Sequence, residues 1–420
     1  MKITVESSEF AACMGKIQSA VSVTKDKKAT VESSVQLSVT KGTKLAEGKS
    51  IFIHAPKGIV AEGYAALAIA FDGKKQLLSM FLASEIEMEE DKKDIYVSGK
   101  RLCDISAAMN NGKEVPMTLT VEKYCLIKKG GSEVQVPLGE KPVVISPSND
   151  WYLRTSVDTK ELTDLFTKGA RFYKPGDEGS AGNVCICCDM DRNKFQVSST
   201  DGYKLGFYGM DAEYDKGKLL EQMDGEGAEP LATLDKDGSL LKVEVDGEQI
   251  KVLTKFLTGK NTEICVYEKY LYFKSGTDIA LFMSKDVSEK KYALKGVMDG
   301  VNSHSRCGIL HVVPKDILDA LTVFDVANQG EDPFVYMTKD KSGALRLSTK
   351  GKISKTLVAC EIKGEFEEMV LNSKILRQVV MNYEKEEAMT IFTGTSNEAV
   401  IITDQDDSED FNIISRISVE

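Results

Sequence analysis

Val121-Glu122-Lys123-Tyr124, with Gly112-Lys113 ahead of it and Lys128-Lys129-Gly130 behind, returns later in the chain as Tyr267-Glu268-Lys269-Tyr270, with Gly259-Lys260 ahead and Lys274-Ser275-Gly276 behind. Order and offset are nearly the same in the two copies, which is the mark of a duplicated domain. Each copy follows an apolar stripe at helical spacing. The copy itself alternates as strands do and is punctuated by glycine, so it reads as a helix followed by a hairpin. In the first copy the hairpin strands are Pro116 to Val121 and Tyr124 to Lys128.

Working outward, Lys2 to Glu6 reads as a strand, and Phe10, Cys13, Ile17 and Val21 recur at helical spacing after Ser7, a suitable N-cap. Leu102, Ile105 and Met109 give a second stripe. Leu162, Leu165 and Phe166, then Ile250, Leu253 and Leu257, repeat the scheme in the middle of the chain. Ile317, Leu321 and Phe324, then Ile375, Val379 and Met381 or Asn382, repeat it near the end. That makes six units of one helix plus strands. Two stretches rich in turn formers and without periodicity, Pro142 to Asp150 and Gly296 to Ser305, read as connectors. They predict an α+β chain of three domains, 1–148, 149–303 and 304–420, each with two similar helix-plus-antiparallel-strand halves.

Composition agrees with three ordinary cores. The chain has 420 residues, 42% hydrophobic and 28% charged, and domains usually hold about 100–200 residues. No apolar run reaches the roughly 18 residues that span a bilayer, and Met1 to Glu6 carries no signal-peptide core. A cytoplasmic protein with no membrane partner is expected. Its nine cysteines have no framework spacing and are expected as reduced thiols, mostly core fillers. In Cys185-Ile186-Cys187-Cys188 a strand would turn Cys188 away from the other two, so the run does not read as a metal site. His54, His304 and His311 stand near no nucleophile motif, and there is no phosphate loop or triad signature. No cofactor, no metal and no catalysis are expected.

Thr200-Asp201-Gly202-Tyr203-Lys204-Leu205 is similar to the Thr-Asp-Gly-His-Arg-Leu segment of the bacterial DNA polymerase III β subunit, the β sliding clamp. The opening Met1-Lys2-Ile3-Thr4-Val5-Glu6 resembles the start of that family. Phe411-Asn412-Ile413-Ile414-Ser415-Arg416-Ile417 resembles its apolar C-terminal strand. With the three-part layout, the resemblance covers nearly the whole chain. It departs in two places. Ser415 stands where the family's Met-Pro-Met-Arg has proline, and Asp211 to Pro230 is longer and more acidic than the matching connection. Such divergence suggests a phage or mobile-element member.

The resemblance implies a non-enzymatic clamp: a head-to-tail homodimer closed into a ring around double-stranded DNA without regard to sequence, helices inside and sheets outside. It implies that the DNA polymerase and clamp loader attach through a short hydrophobic peptide. The peptide pocket would have Thr200, Gly202, Tyr203, Lys204 and Leu205 on one wall and Ile413, Ile414 and Ile417 on the other. Gly202 is expected to let the peptide backbone approach closely.

Net charge is −11, so DNA binding requires local segregation of basic residues. Lys251 with Lys255 and Lys374 with Arg377 lie at same-face helical spacing, Lys100 and Arg101 open another helix, and Lys25, Lys27 and Lys28 follow the first. Asp316, Asp319 and Asp325 break this pattern on one helix. The alternatives are a clamp-fold scaffold or decoy that binds clamp partners without encircling DNA, and a hydrolase using Asp201 and Lys204.

Overall fold

The computed structural model describes residues 1–21, 34–41, 64–87, 94–112, 115–142, 144–145, 150–177, 180–222, 232–234, 239–284, 294–328, 333–349, 355–396 and 398–417. β1 (Lys2–Glu6) runs into α1 (Ser7–Ile17), followed by the meander β2 (Ser34–Lys41), β3 (Tyr64–Phe71) and β4 (Lys75–Glu87). β5 (Asp94–Ser98), α2 (Gly99–Met109) and the meander β6 (Pro116–Val121), β7 (Cys125–Lys129), β8 (Ser132–Val136) repeat that order. It returns as β9 (Leu153–Asp158), α3 (Thr159–Gly169) and β10 (Asn183–Asp189), β11 (Lys194–Thr200), β12 (Lys204–Asp211). The short β13 (Asp215–Lys216), α4 (Lys218–Gln222) and β14 (Ala232–Leu234) intervene. Then come β15 (Leu240–Asp246), α5 (Gly247–Ile250) and β16 (Asn261–Val266), β17 (Tyr270–Ser275), β18 (Asp278–Met283). After α6 (Leu294–Asn302) the scheme continues as β19 (Gly308–Val312), α7 (Pro314–Asn328) and β20 (Phe334–Lys339), β21 (Leu345–Ser348), β22 (Lys355–Val358). β23 (Cys360–Gly364) leads to β24 (Met369–Asn372), α8 (Ser373–Val380) and β25 (Met389–Thr393), β26 (Val400–Thr403), β27 (Phe411–Ile414).

Strand, helix and three-stranded meander thus recur six times, and the halves are interlocked in pairs. β1 pairs with β6 while β5 pairs with β2. β9 pairs with β16 while β15 pairs with β10. β19 pairs with β25 while β24 pairs with β20. Every leading strand therefore completes the other half's sheet, so neither half of a pair keeps its backbone hydrogen bonds alone.

Two compact units emerge. One holds Met1–Thr163, Ala212–Gly238 and Glu248–Lys285, and the other Asp164–Asp211, Ser239–Gly247 and Asp286–Glu420. In the first, β4 meets β18 edge to edge, antiparallel, with Leu78 opposite Ile279 and Leu77 opposite Ala280. In the second, β12 meets β27, with Leu205 opposite Ile413 and Phe207 opposite Phe411. The outer strands of two meanders are consumed in each unit, and those of the third, β8 and β22, are left at sheet ends.

The first unit explains the repeated letters. Gly130 and Gly276 occupy the same place in the two-residue turns after β7 and β17, with φ of 57° and 61°, a conformation that favours glycine. Ser7 lies inside α1 and Glu6 takes the cap position without a side-chain bond, so the expected Ser7 cap is corrected. The reason is Lys129: its buried ammonium donates to Ser7 Oγ (2.7 Å), the Met109 carbonyl (2.8 Å) and Asn111 Oδ1 (3.0 Å). It thereby places a cation at the C-terminal end of α2, where the helix dipole favours one.

Two other expectations fail. The helix expected through Ile250, Leu253 and Leu257 is a four-residue α5 and a separate 3₁₀ turn, Leu253–Lys255. Leu253 and Phe256, both buried, are three apart, a spacing that stacks side chains on a 3₁₀ turn. The connector expected at Gly296 to Ser305 begins as α6, whose Val297, Met298 and Val301 share an apolar side that the intervening glycines disguise.

Asp278 holds the β4–β18 join at its turn end. Its buried carboxylate accepts from Lys16 Nζ of α1 (2.5 Å), Ser79 Oγ of β4 (2.7 Å) and Thr258 Oγ1 (3.0 Å). Asp278→Ala should lower the unfolding free energy by about 2 kcal/mol, the range for orphaning buried hydrogen-bonding groups. Ser79→Ala should cost about half as much. Urea midpoints at unchanged slope are the measurement; an Asp278→Ala midpoint equal to wild type would show that this cluster does not hold the join.

Candidate functional site

The turn from β11 into β12 is built by its own side chains. Asp201 Oδ1 accepts the backbone N–H of Tyr203 and of Lys204, each at 3.0 Å, and Oδ2 pairs with Lys204 Nζ. Thr200 Oγ1 donates to the Lys204 carbonyl (2.7 Å) and accepts from Gly202 N–H (3.0 Å). This is the self-bonded turn that aspartate and threonine favour, and it occupies both charged groups of the proposed hydrolase pair. Gly202 has φ of 92°, and a Cβ there would meet nothing within 4 Å. The left-handed backbone here favours glycine, and the space a side chain would take is open. The turn presents Tyr203, 67% exposed, to solvent.

The pleat then divides the expected pocket residues. Opposed residues of an antiparallel pair point to one face. Leu205 with Ile413, and Phe207 with Phe411, share a face with Cys185, Cys187, Phe392 and Ile401. The Phe207 and Phe411 rings stack with centroids 5.1 Å apart. Lys204 and Ile414 point the other way, where Ile414 is fully buried among Phe172, Leu371 and Leu376 and Lys204 Nζ lies 5.4 Å over the Phe172 ring. Ile414 is therefore core on one face, while Leu205 and Ile413 lie on the other, so the eight residues do not share one face. Ser415 N–H donates to the Tyr203 carbonyl (2.9 Å), and Ile417 N–H to the Val370 carbonyl (3.0 Å), carrying the chain end along this turn.

Beneath the join lies a polar group that pattern reasoning missed. Asn412 Nδ2 donates to the Tyr383 hydroxyl (2.6 Å) and to that of Tyr208, Asn382 Nδ2 donates to Tyr208 (3.1 Å), and Tyr383 donates to the Ile402 carbonyl (2.7 Å). Burial pushes the Tyr208 phenol up to about 12. The one available signal was Asn412 itself, alone among apolar residues in the last strand.

The expected basic residues fall out unevenly. Lys25, Lys27 and Lys28 lie outside the described residues, as do Lys113 of the repeat and His54. Lys100 and Arg101 are exposed in the first turn of α2, where the helix dipole disfavours cations, so folding alone gives no reason for them. Lys251 and Lys255 are exposed on the broken α5 segment, with Lys251 3.6 Å from Glu248. Lys374 is exposed on α8, but Arg377 binds Asp325 (2.7 Å) and Thr322 (3.3 Å) of α7. Its charge is spent within the protein. Cys185 and Cys187 thiols lie 3.6 Å apart on one face of β10, and no metal-holding group of His, Cys, Asp or Glu occurs among the described residues.

No protein-family model and no curated protein matches the chain. Solved structures do. A Pseudomonas aeruginosa DnaN sliding clamp bound to griselimycin superposes with a TM-score of 0.77 at 14% identity, covering 100% of both chains. The Thermotoga maritima DNA polymerase III β subunit gives 0.75 at 14%, again over 100% of both. A Caulobacter crescentus β sliding clamp gives 0.75 at 16%, over 100% of this chain and 99% of the other.

The chain has the fold of the DNA polymerase III β sliding clamp. In this clamp fold the Thr200–Leu205 turn and the C-terminal strand are neighbours through backbone pairing, as Lys204 opposite Ile414 shows. No described helix is long and apolar enough to cross a membrane.

The far end of the β12–β27 join carries an acid whose titration reports on it. Asp410 Oδ1 accepts from Gly209 N–H (2.8 Å), and burial raises its carboxyl to about 6 despite that bond. A raised folded value means stability that is full below the unfolded value of about 4 and is lost as pH rises through about 6. Asp410→Asn should therefore flatten the stability profile between pH 4 and 7. Urea midpoints across that window measure it; an unchanged slope would assign the dependence to other groups.

Proposed function

We propose that the protein is a sliding clamp: two copies close head to tail around duplex DNA and tether a polymerase. The observation that carries this is the edge count. Six meanders present six outer strands; four are joined in pairs within the chain, and β8 and β22 remain. An exposed sheet edge is a template for another strand, and among the described meanders the two outer strands left unjoined, β8 and β22, come from the first and last thirds of the chain. A β8-to-β22 join between copies repeats the two joins already made and closes after two subunits. Apolar side chains stand exposed at one partner of this join, with Leu357 of β22 at 49%, and Val323 and Val326 of α7 at 54% and 75%. Leu138, just past β8, is 38% exposed. The three-domain division at 1–148, 149–303 and 304–420 belongs to this reading, as do the absence of catalysis and a cytoplasmic setting.

Encirclement needs only weak, sequence-indifferent phosphate contacts, for which Lys100, Arg101, Lys251, Lys255 and Lys374 are the candidates. The partner site is the Leu205 and Ile413 face beside Tyr203, where a short hydrophobic peptide from the polymerase or loader would seat its anchors. A scaffold that binds clamp partners without encircling DNA is the second reading. The Arg377–Asp325 pair favours it, because it removes one of the basic residues expected to face DNA.

Sedimentation should give a dimer, and Val326→Glu with Leu357→Glu should weaken it at least tenfold, about 1.4 kcal/mol, with the melting temperature of the subunit unchanged. A wild-type monomer at micromolar concentration would remove the ring. After loading with loader and ATP, the clamp should persist on circular DNA and leave linear DNA by its ends at moderate salt. Equal dissociation from both would leave the scaffold reading. Leu205→Glu should abolish binding of the cognate polymerase's C-terminal peptide while the dimer persists; unaltered binding would place the pocket elsewhere.

A further inference from the structure

The two sheet joins are covered differently on their outer faces. In the first unit the apolar face of Ile69, Leu78, Ile279, Leu281 and Tyr272 packs against Trp151 and Val144 of the segment after β8. That segment is stitched down by backbone bonds: Tyr152 N–H to the Val266 carbonyl (2.8 Å) and Gly217 N–H to the Tyr152 carbonyl (2.9 Å). In the second unit the corresponding face, Leu205, Phe207, Phe411 and Ile413, packs against Val297, Met298 and Val301 of α6. Among the described residues α6 makes no backbone hydrogen bond to the strands beneath it.

α6 is a weak helix. It has nine residues, two of them glycine, and a Cβ at Gly296 or Gly300 would meet nothing within 4 Å. Packing does not require these glycines, and each disfavours the helix relative to alanine. Val301 is buried, and Val297 and Met298 are half-buried. The face beneath is large, aromatic and continuous with the Tyr203 turn through Leu205. A marginal amphipathic helix thus lies on the surface that the clamp reading assigns to partner peptides.

We propose that α6 is a displaceable cover on the outer face of the β12–β27 join, and that a partner docks by replacing its Val297, Met298 and Val301 with an apolar peptide of like spacing. The proposal rests on the peptide-docking reading of Leu205 and Ile413. Each bound peptide must first displace α6, so the strength of α6 sets a threshold that only a peptide with several apolar anchors passes.

Cys185 and Cys187 lie in the covered face, and Cys125 is buried in the other unit, so native-state thiol labelling resolved by mass spectrometry reports opening of α6 without any ligand. Cys185 and Cys187 should label faster than Cys125. Gly296→Ala with Gly300→Ala should slow them by roughly tenfold to thirtyfold, the helix preference of two such changes, while Val301→Ser should speed them. Equal rates at all three cysteines, or rates indifferent to the alanines, would overturn the cover.

Docking is tested by titrating a labelled synthetic peptide of residues 294–302, bearing Gly296→Ala and Gly300→Ala, into the dimeric protein. It should bind Val301→Ser protein at least tenfold more tightly than wild type, and lose that binding when Leu205→Glu is added. Failure to bind Val301→Ser protein would overturn docking on this face. Failure of the pocket reading is separately visible, as polymerase-peptide binding indifferent to Leu205→Glu with the labelling rates still changed by the alanines.

Discussion

A sheet that ends must do something with the strand at its edge. The row of backbone N–H and C=O groups along that strand is a binding surface whether or not the side chains cooperate. Here each three-stranded meander ends in such a strand, and each half borrows its first strand from its neighbour, so edges cannot be abolished by closing a sheet on itself. They can only be matched to one another. β4 with β18 and β12 with β27 are two solutions of that constraint inside the chain. β8 and β22 are the terms left over.

Side chains select which edges meet and in what register. Sheet pairing alone tolerates slippage, and a slip by one residue would exchange the faces of β27. Asn412 prevents that exchange, because it must reach the Tyr208 and Tyr383 hydroxyls on the interior face. A buried amide displaced to the Leu205 face would lie among phenylalanines with nothing to bond. Asp278 does comparable work at the other join, where three donors from three elements converge on one carboxylate. The polar groups in both joins serve specificity of register more than strength.

Much of this was legible in the residues. Local periodicity found the helices whose apolar stripe is long, such as α1 and α7, and the repeated Glu-Lys-Tyr turns marked equivalent hairpins because their glycines hold the same backbone conformation. The segment at Ile250 to Leu257 misled, because Leu253 and Phe256 satisfy helical and 3₁₀ spacing alike over so short a run. α6 was invisible for a different reason: Gly296 and Gly300 interrupt a stripe of three apolar residues and mimic a linker. The pairing of the Thr200–Leu205 turn with the last strand was legible as two sequence segments but not as a surface. Nothing in Lys204-Leu205 or Ile413-Ile414 says which member of each pair shares the Phe207 and Phe411 face, because register across the join decides it.

Charge placement could not be settled from residue letters either. Arg377 and Lys374 look equivalent on α8, yet one meets Asp325 across the helix pair and the other is exposed. A net charge of −11 makes every such pairing consequential. Exposed ion pairs contribute little to stability, about 0–1 kcal/mol, so Arg377 gains little for the fold by binding Asp325. What changes is the field: a phosphate near α8 meets the charge of Lys374 and only the residual dipole of the pair. On the clamp proposal, an acidic protein would be poorly suited to retaining DNA by affinity. Retention by enclosure would require only that the enclosed surface not repel the duplex, a lesser demand for which the proposal offers the exposed cations of α2, the α5 segment and α8.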